Sequence, residues 1–309
     1  MSYNSTKLRF DGLADNVKGA LILMVAAALF SLMVVIIKVL GAHLHVTQIL
    51  FVRQIIMSMI VAPVVIKGFP GVLKTRQPGL QLIRICLALG AMMFGFTAVI
   101  HLPLAEATAL GFAKSFFVTI FAVIILKETV GLRRWSAVAV GFLGVLIMLN
   151  PGTEAFSVYG IMAVTGAACA GLVMVIIRHM SKTDSPTTIL SWQAIGVGIA
   201  VFIPAVWFWQ WPTPLEWGLL VLMGVMSYLA QMANIYAYKW GEASVLASLD
   251  YVRLLYATIL GYLVFSTLPG ISTWIGAGII VAASIYTVWR EGRKKQSLTR
   301  SPAGRGYNQ

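Results

Sequence analysis

Apolar residues run along this chain in ten blocks, at about 18–40, 46–66, 80–101, 105–126, 133–149, 157–178, 187–208, 215–237, 243–264 and 271–289. Each is close to the roughly 20 residues a helix needs to cross hydrocarbon. No water is present there to serve the backbone, so a continuous apolar span must bond to itself as a helix. The connections are short, which makes neighbouring spans antiparallel. The pattern predicts an all-α integral membrane protein with ten transmembrane helices.

The basic residues then give a direction. Counting alternately from the N-terminus, one side receives Lys7, Arg9 and Lys18, then Lys67, Lys74 and Arg76, then Lys127, Arg133 and Arg134. The same side receives Arg178, Lys182 and Lys239, and finally Arg290, Arg293, Lys294, Lys295, Arg300 and Arg305. These are eighteen of the twenty-three Lys and Arg; the opposite loops, 41–45, 102–104, 150–156, 209–214 and 265–270, hold none. Cytoplasmic loops are the basic ones, so both termini are expected in the cytoplasm. Missing or inventing one span would scramble the alternation.

Composition excludes the main alternatives. Hydrophobic residues make up 59% of the chain, charged residues 11%, and mean hydropathy is +0.88. Soluble domains carry roughly a quarter charged residues. The net charge of +13 sits in short loops and a tail, which argues for a lipid bilayer as partner and against nucleic acid. Cys86 and Cys169 fall inside apolar spans and are expected as reduced core residues. His43-x-His45, in a predicted loop, is too little for a metal site, and no cofactor motif is present. The chain has no G-x-x-x-x-G-K-[ST] run, no G-x-S-x-G elbow and no H-E-x-x-H pair, so familiar nucleotide-hydrolysing, hydrolase and zinc-protease chemistry has no footing. The N-terminal apolar run is too long for a signal-peptide core and is read as a retained span.

The chain also repeats. A shift of 139 residues carries Gly131-x-x-x-Trp135 onto Gly270-x-x-x-Trp274, Lys114 onto Arg253 and Phe112 onto Tyr251. Each half, 18–149 and 157–289, then holds five spans. An odd number inverts the second half against the first, the arrangement of inverted-repeat transporters. Residues 290–309 form a basic cytoplasmic tail expected to be irregular.

Charge inside the spans marks the candidate site, because a mid-helix Lys or Arg costs about 2.5–3.5 kcal/mol on insertion scales. Lys38 and Arg84 lie near span ends and are expected to snorkel to the interface. Arg53 is two turns deep. Lys114 and Arg253 are central, and the repeat makes them counterparts, so both are expected to face one wet central volume. Asp250 and Tyr256 share the helical face of Arg253. An Asp250–Arg253 pair that only locks helices together is the competing explanation. Tyr228, Gln231 and Asn234 share a stripe in span eight, with Ser227 and Tyr236 beside them and Phe94, Phe96 and Thr97 in span three. Interhelical hydrogen bonding explains these polar residues as well as cargo binding does. Ala137, Gly141, Gly276 and Gly278 are expected to let helices pack closely.

Several runs, in order, resemble the drug/metabolite transporter superfamily of the ten-helix EamA type: Lys38-Val-Leu-Gly, Phe51-Val-Arg53, Leu102-Pro-Leu-Ala-Glu-Ala-Thr-Ala109, Leu126-Lys-Glu128 and Asp250-Tyr251-Val-Arg253-Leu254. The resemblance covers nearly the whole chain. It implies a basket-like carrier of the bacterial inner membrane with a central cavity lined by both halves. The first-half motifs are similar to those of riboflavin and S-adenosylmethionine uptake members. One departure stands out: the acid Glu128 has Thr267 as its counterpart, so a symmetric role for that acid is in doubt.

The resulting expectation is a secondary transporter of a small organic metabolite with an anionic or zwitterionic group, working by alternating access. Lys114 and Arg253 would attract the anion. Asp250 would hold Arg253 or exchange a proton as coupling ion, and Tyr256, Tyr228, Gln231, Asn234 and Arg53 would complete the site. Export of amino acids or drugs on the same fold, a membrane-embedded lipid-modifying enzyme and a membrane scaffold are the rivals. A homodimer is left open.

Overall fold

The computed structural model describes residues 15–127, 131–149, 157–180, 183–240 and 251–299. Among them, every regular element is a helix. In chain order these are α1 (Asp15–Leu40), α2 (Val46–Gly68), a 3-10 turn (Gly71–Leu73), α3 (Pro78–His101), α4 (Leu104–Gly111), α5 (Lys114–Leu126), α6 (Leu132–Leu149), α7 (Val158–Met180), α8 (Pro186–Trp207), α9 (Pro214–Trp240), α10 (Val252–Phe265) and α11 (Ile271–Thr299). Six stretches are long and apolar enough to cross a membrane, and four shorter apolar helices accompany them. With the family match below, they make this a multi-pass membrane protein.

Local chemistry sets the boundaries. Ser185 caps α8, its hydroxyl accepting from the Thr188 N–H at 3.1 Å, with Pro186 in the first turn. Thr213 and Glu216 form a reciprocal box at the start of α9: the Glu216 carboxylate accepts from Thr213 N–H at 2.7 Å, and the Thr213 hydroxyl accepts from Glu216 N–H at 3.3 Å. Such boxes satisfy the free amides of a helix start.

Two differences from the sequence reading matter. The span expected at 105–126 is interrupted between α4 and α5. Phe112 N–H and Ala113 N–H bond to the carbonyls of Ala109 and Leu110, and Ser115 N–H bonds to that of Phe112. This i→i−3 pattern is a tight 3-10 turn just after Gly111, a weak helix former. At the other end of the chain, α11 continues through Thr299, into the segment expected to be irregular.

The helices pack in a paired pattern. α1 lies against α9 and α7 against α3; α10 lies against α1 and α5 against α7; α2 lies against α9 and α8 against α3. α2 packs on α8 and α6 on α11. At the α6–α11 crossing, Gly144 and Gly276 allow backbone contact: a Cβ on Gly276 would lie 2.5 Å from the Gly144 carbonyl oxygen. Ala137 is buried and Gly141 faces the Phe116 ring, as expected for close packing, but nothing lies within 4 Å of a Cβ on Gly278. The outer face is apolar, with Leu132, Trp207, Trp211 and Ile271 each at least 80% exposed, the surface that hydrocarbon and its interface require.

At one end the 41–45 segment meets the connection between α8 and α9, and α3 meets α7. His43 contacts Glu216 at 2.8 Å, His45 stacks on Phe208 with ring centres 4.4 Å apart, and His101 stacks on Tyr159 at 3.9 Å. At the other end, the basic segment before α3 meets the turn before α8. The Asp184 carboxylate accepts from the Thr75 hydroxyl, from Arg76 N–H at 3.1 Å and from Gln81 at 3.2 Å.

Candidate functional site

The 139-residue offset reappears in the backbone. Phe112 has φ −69°, ψ −16°, and Tyr251 has φ −67°, ψ −12°. α5 ends at Lys127 and α10 at Ser266, both in the left-handed region, at φ 53° and φ 51°. Thr119 and Thr258 each donate to a carbonyl four residues back. Phe112 and Tyr251 also touch, edge to face, with ring centres 4.8 Å apart.

That contact lies beside both central cations. Lys114 opens α5 and is half-buried. Its carbonyl oxygen would sit 3.1 Å from a Cβ on Gly171, so α7 packs directly on the interruption. Arg253 is the second residue of α10, half-buried, with its guanidinium 4.3 Å from the centre of the Phe30 ring on α1. Cation–π contacts of this kind draw a guanidinium to a ring face. Asp250 lies outside the described residues.

The polar stripe lies on α9. Tyr228, Gln231 and Asn234 are half-buried, as is Tyr256 on α10, and none makes a side-chain hydrogen bond among the described residues. Polar groups at membrane depth are satisfied by protein or by water. Tyr236, by contrast, is 52% exposed.

Arg53 is buried on α2. Its Nε donates to the Ser227 hydroxyl of α9 at 2.9 Å, and Nη1 meets the Met92 sulfur at 3.9 Å. Its guanidinium lies 5.9 Å from the Phe96 ring centre. Ser227 also lies 2.9 Å from the sulfur of Met33, one turn along α1 from Phe30. The α1 face thus runs from the surroundings of Arg53 to Arg253. Phe30, Met33 and Met92 gave no signal in the sequence, where an apolar residue in an apolar span looks like packing.

Three expectations are corrected. Lys38 does not reach outward: its ammonium donates to the carbonyls of Val99, Ile100 and Leu102 at 3.2, 3.0 and 2.6 Å, closing the C-terminal end of α3. Arg84 has no exposed surface; it donates to Gln81 at 3.3 Å, Gln193 at 2.8 Å and the Ile189 carbonyl at 2.5 Å. Its depth along the span suggested snorkelling, but its direction is inward. Cys86 is exposed rather than in the core, while Cys169 is half-buried.

An open groove of about 510 Å³ lies between α2 and α8, lined by residues such as Phe51, Met59, Ile199 and Phe202. None of the predicted site residues lines it. Its lining is mainly apolar, and Gln54 and Ala194 within it are buried. Among the described residues no cluster of His, Cys, Asp or Glu could hold a metal ion.

Comparison with known proteins adds the following. The profile of the EamA-like transporter family matches residues 17–150 and again residues 158–289. A riboflavin transporter of Brucella anthropi is 26% identical, over 76% of this chain and 85% of its own length. An S-adenosylmethionine uptake transporter of Rickettsia prowazekii is 28% identical, over 84% and 88%. The pseudopaline exporter CntI of Pseudomonas aeruginosa is 29% identical, over 86% and 94%. A protein of known crystal structure is 17% identical, with a TM-score of 0.61 over 90% of this chain and 99% of that one; the likeness there is one of fold.

Proposed function

The chain belongs to the EamA-like transporter family, and from that premise we propose that it carries a small organic metabolite across the bacterial inner membrane by alternating access. The coarser statement, a small-molecule transporter embedded in a lipid bilayer, follows from the family and from its named relatives. The finer reading is as follows. The halves 18–149 and 157–289 are oppositely oriented repeats of five spans, both termini are cytoplasmic, and the cargo sits where α5 and α10 begin.

The Phe112–Tyr251 contact carries this reading. Mirrored positions of two inverted repeats meet only near the axis that relates them, and a carrier of this kind binds its cargo there. Lys114 and Arg253 follow those rings by two residues, at the amide-rich starts of two half-helices, where an anion is favoured. In this reading Asp250 holds Arg253 or exchanges a proton, which would make H+ the coupling ion. Tyr256, Tyr228, Gln231 and Asn234 orient the cargo, and Phe30, Phe112 and Tyr251 offer ring faces. A cargo with a flat ring and an anionic or zwitterionic group, of the S-adenosylmethionine kind, suits this lining; a riboflavin-like cargo, uncharged at neutral pH, would use the ring faces.

The test is an untargeted comparison of metabolites in cells lacking and cells overproducing the protein, followed by vesicle uptake of the compound that changes. The sign of the change reports import or export. Lys114→Met is expected to reduce uptake at least about tenfold, through lost anion binding. Unchanged affinity and rate in that variant would remove Lys114 from the site.

A further inference from the structure

The intramembrane cations differ in how completely the protein satisfies them. Every nitrogen of the Arg84 guanidinium donates to an oxygen, and the Lys38 ammonium meets three carbonyls. Arg53 is treated otherwise. It is only 7% exposed, yet among the described residues it meets a single oxygen, Ser227 Oγ at 2.9 Å. The Ser227 proton goes to the Met223 carbonyl at 2.7 Å, so the hydroxyl receives Arg53 as an acceptor. The remaining contacts are a thioether at 3.9 Å and the Phe96 ring at 5.9 Å. A thioether is a weak acceptor, and a guanidinium carries five donors. Among the described residues no carboxylate touches it. An arrangement that buries this charge without neutralising it is costly, and an anionic ligand removes the cost.

We propose that Arg53 is an anion-recognition point, taking a carboxylate or phosphate through its Nη1–Nη2 edge, with Ser227 as the positioning residue that aims that edge. With Nε held by Ser227, the two outer nitrogens are the fork left for a two-pronged bond to an oxyanion. Phe96 supplies a face for a flat ring attached to that oxyanion. The inference rests on the transporter reading and narrows the cargo to molecules that carry both an oxyanion and a flat unsaturated ring. It assigns Arg53 a part separate from that of Lys114 and Arg253.

The test uses the full chain purified in an uncharged detergent and follows its thermal unfolding with benzoate, phenyl phosphate or uncharged benzyl alcohol. In the wild type, benzoate or phenyl phosphate raises the midpoint and benzyl alcohol does not. In Arg53→Gln the half-saturating anion concentration rises about tenfold or more, because a charge-assisted pair is lost. Arg53→Lys keeps a weakened response, as a point charge replaces a fork. If Arg53→Gln does not fold, Ser227→Ala decides: a several-fold weaker anion response supports the inference, and an unchanged one overturns it. An Arg53→Gln protein with the wild-type anion response also overturns it. If Lys114→Met loses the response while Arg53→Gln keeps it, the transporter site stands and the role of Arg53 falls. The reverse pattern supports Arg53 and removes Lys114. No anion response in the wild type overturns the inference and leaves the site reading to the uptake experiment.

Discussion

Phe112 and Tyr251, 139 positions apart in the chain, adopt nearly the same backbone angles and meet edge to face at 4.8 Å. In the proposed inverted-repeat arrangement, a contact between counterparts lies near the axis that exchanges them. Cysteines at the two positions, in a Cys86→Ser, Cys169→Ser background, are expected to join under mild oxidant or a short bifunctional thiol reagent. Gel mobility of the single chain checks this. Failure of both reagents would place the rings apart in the membrane.

Lys38 ties α1 to the end of α3 through three carbonyls. Lys38→Met leaves those acceptors without their donor, and an unmet buried group costs about 1–3 kcal/mol. The thermal midpoint in detergent is expected to fall while cargo affinity stays within about twofold, the behaviour of a structural group rather than a binding one. A large loss of affinity at unchanged stability would instead place Lys38 in the site.

Gly276 allows α11 to touch α6. A methyl group there would lie 2.3 Å from Met148 Cγ and 2.5 Å from the Gly144 oxygen. Gly276→Ala is expected to destabilise by about 1–3 kcal/mol through overpacking, read as a lowered midpoint. Gly278→Ala, where the space is open, is the control and is expected to leave the midpoint unchanged.

Asp184 ties the segment before α3 to the turn before α8. Burial opposes its charge, but hydrogen bonds from Thr75, Arg76, Gln81 and Thr183 outweigh it and hold the carboxyl below its usual value. A depressed value means the link is fully present above the unfolded-state value, about 3.9. The link is lost only as pH falls through the lower folded value. The wild-type midpoint is therefore expected to lose this contribution only below about pH 4. Asp184→Asn should lower the midpoint at neutral pH and remove this part of the acid dependence. An acid profile identical in both proteins would contradict the assignment.

Much of the helical framework was legible because hydrocarbon permits few backbone solutions. Helices α2, α3, α6 and α8 begin and end within a few residues of the apolar blocks. The kinship of Lys114 with Arg253 was legible too, since an offset in sequence survives as an offset in backbone. What the pattern could not carry is direction. Lys38 and Arg84 sit near span ends, where a basic side chain can turn to water or inward, and only the neighbouring carbonyls and glutamines decide. The interruption at Phe112–Ala113 was hidden because its residues are as apolar as their neighbours. Met33 and Met92 beside Arg53 were silent for the same reason.

The most direct test of a shared central site is the reach of water to Lys114 from each side of the membrane. In the same cysteine-free background, Lys114→Cys is treated with a membrane-impermeant thiol reagent in right-side-out and in inverted vesicles. Labelling from both sides is the predicted result. A thiol that reacts from neither side would contradict a chamber there.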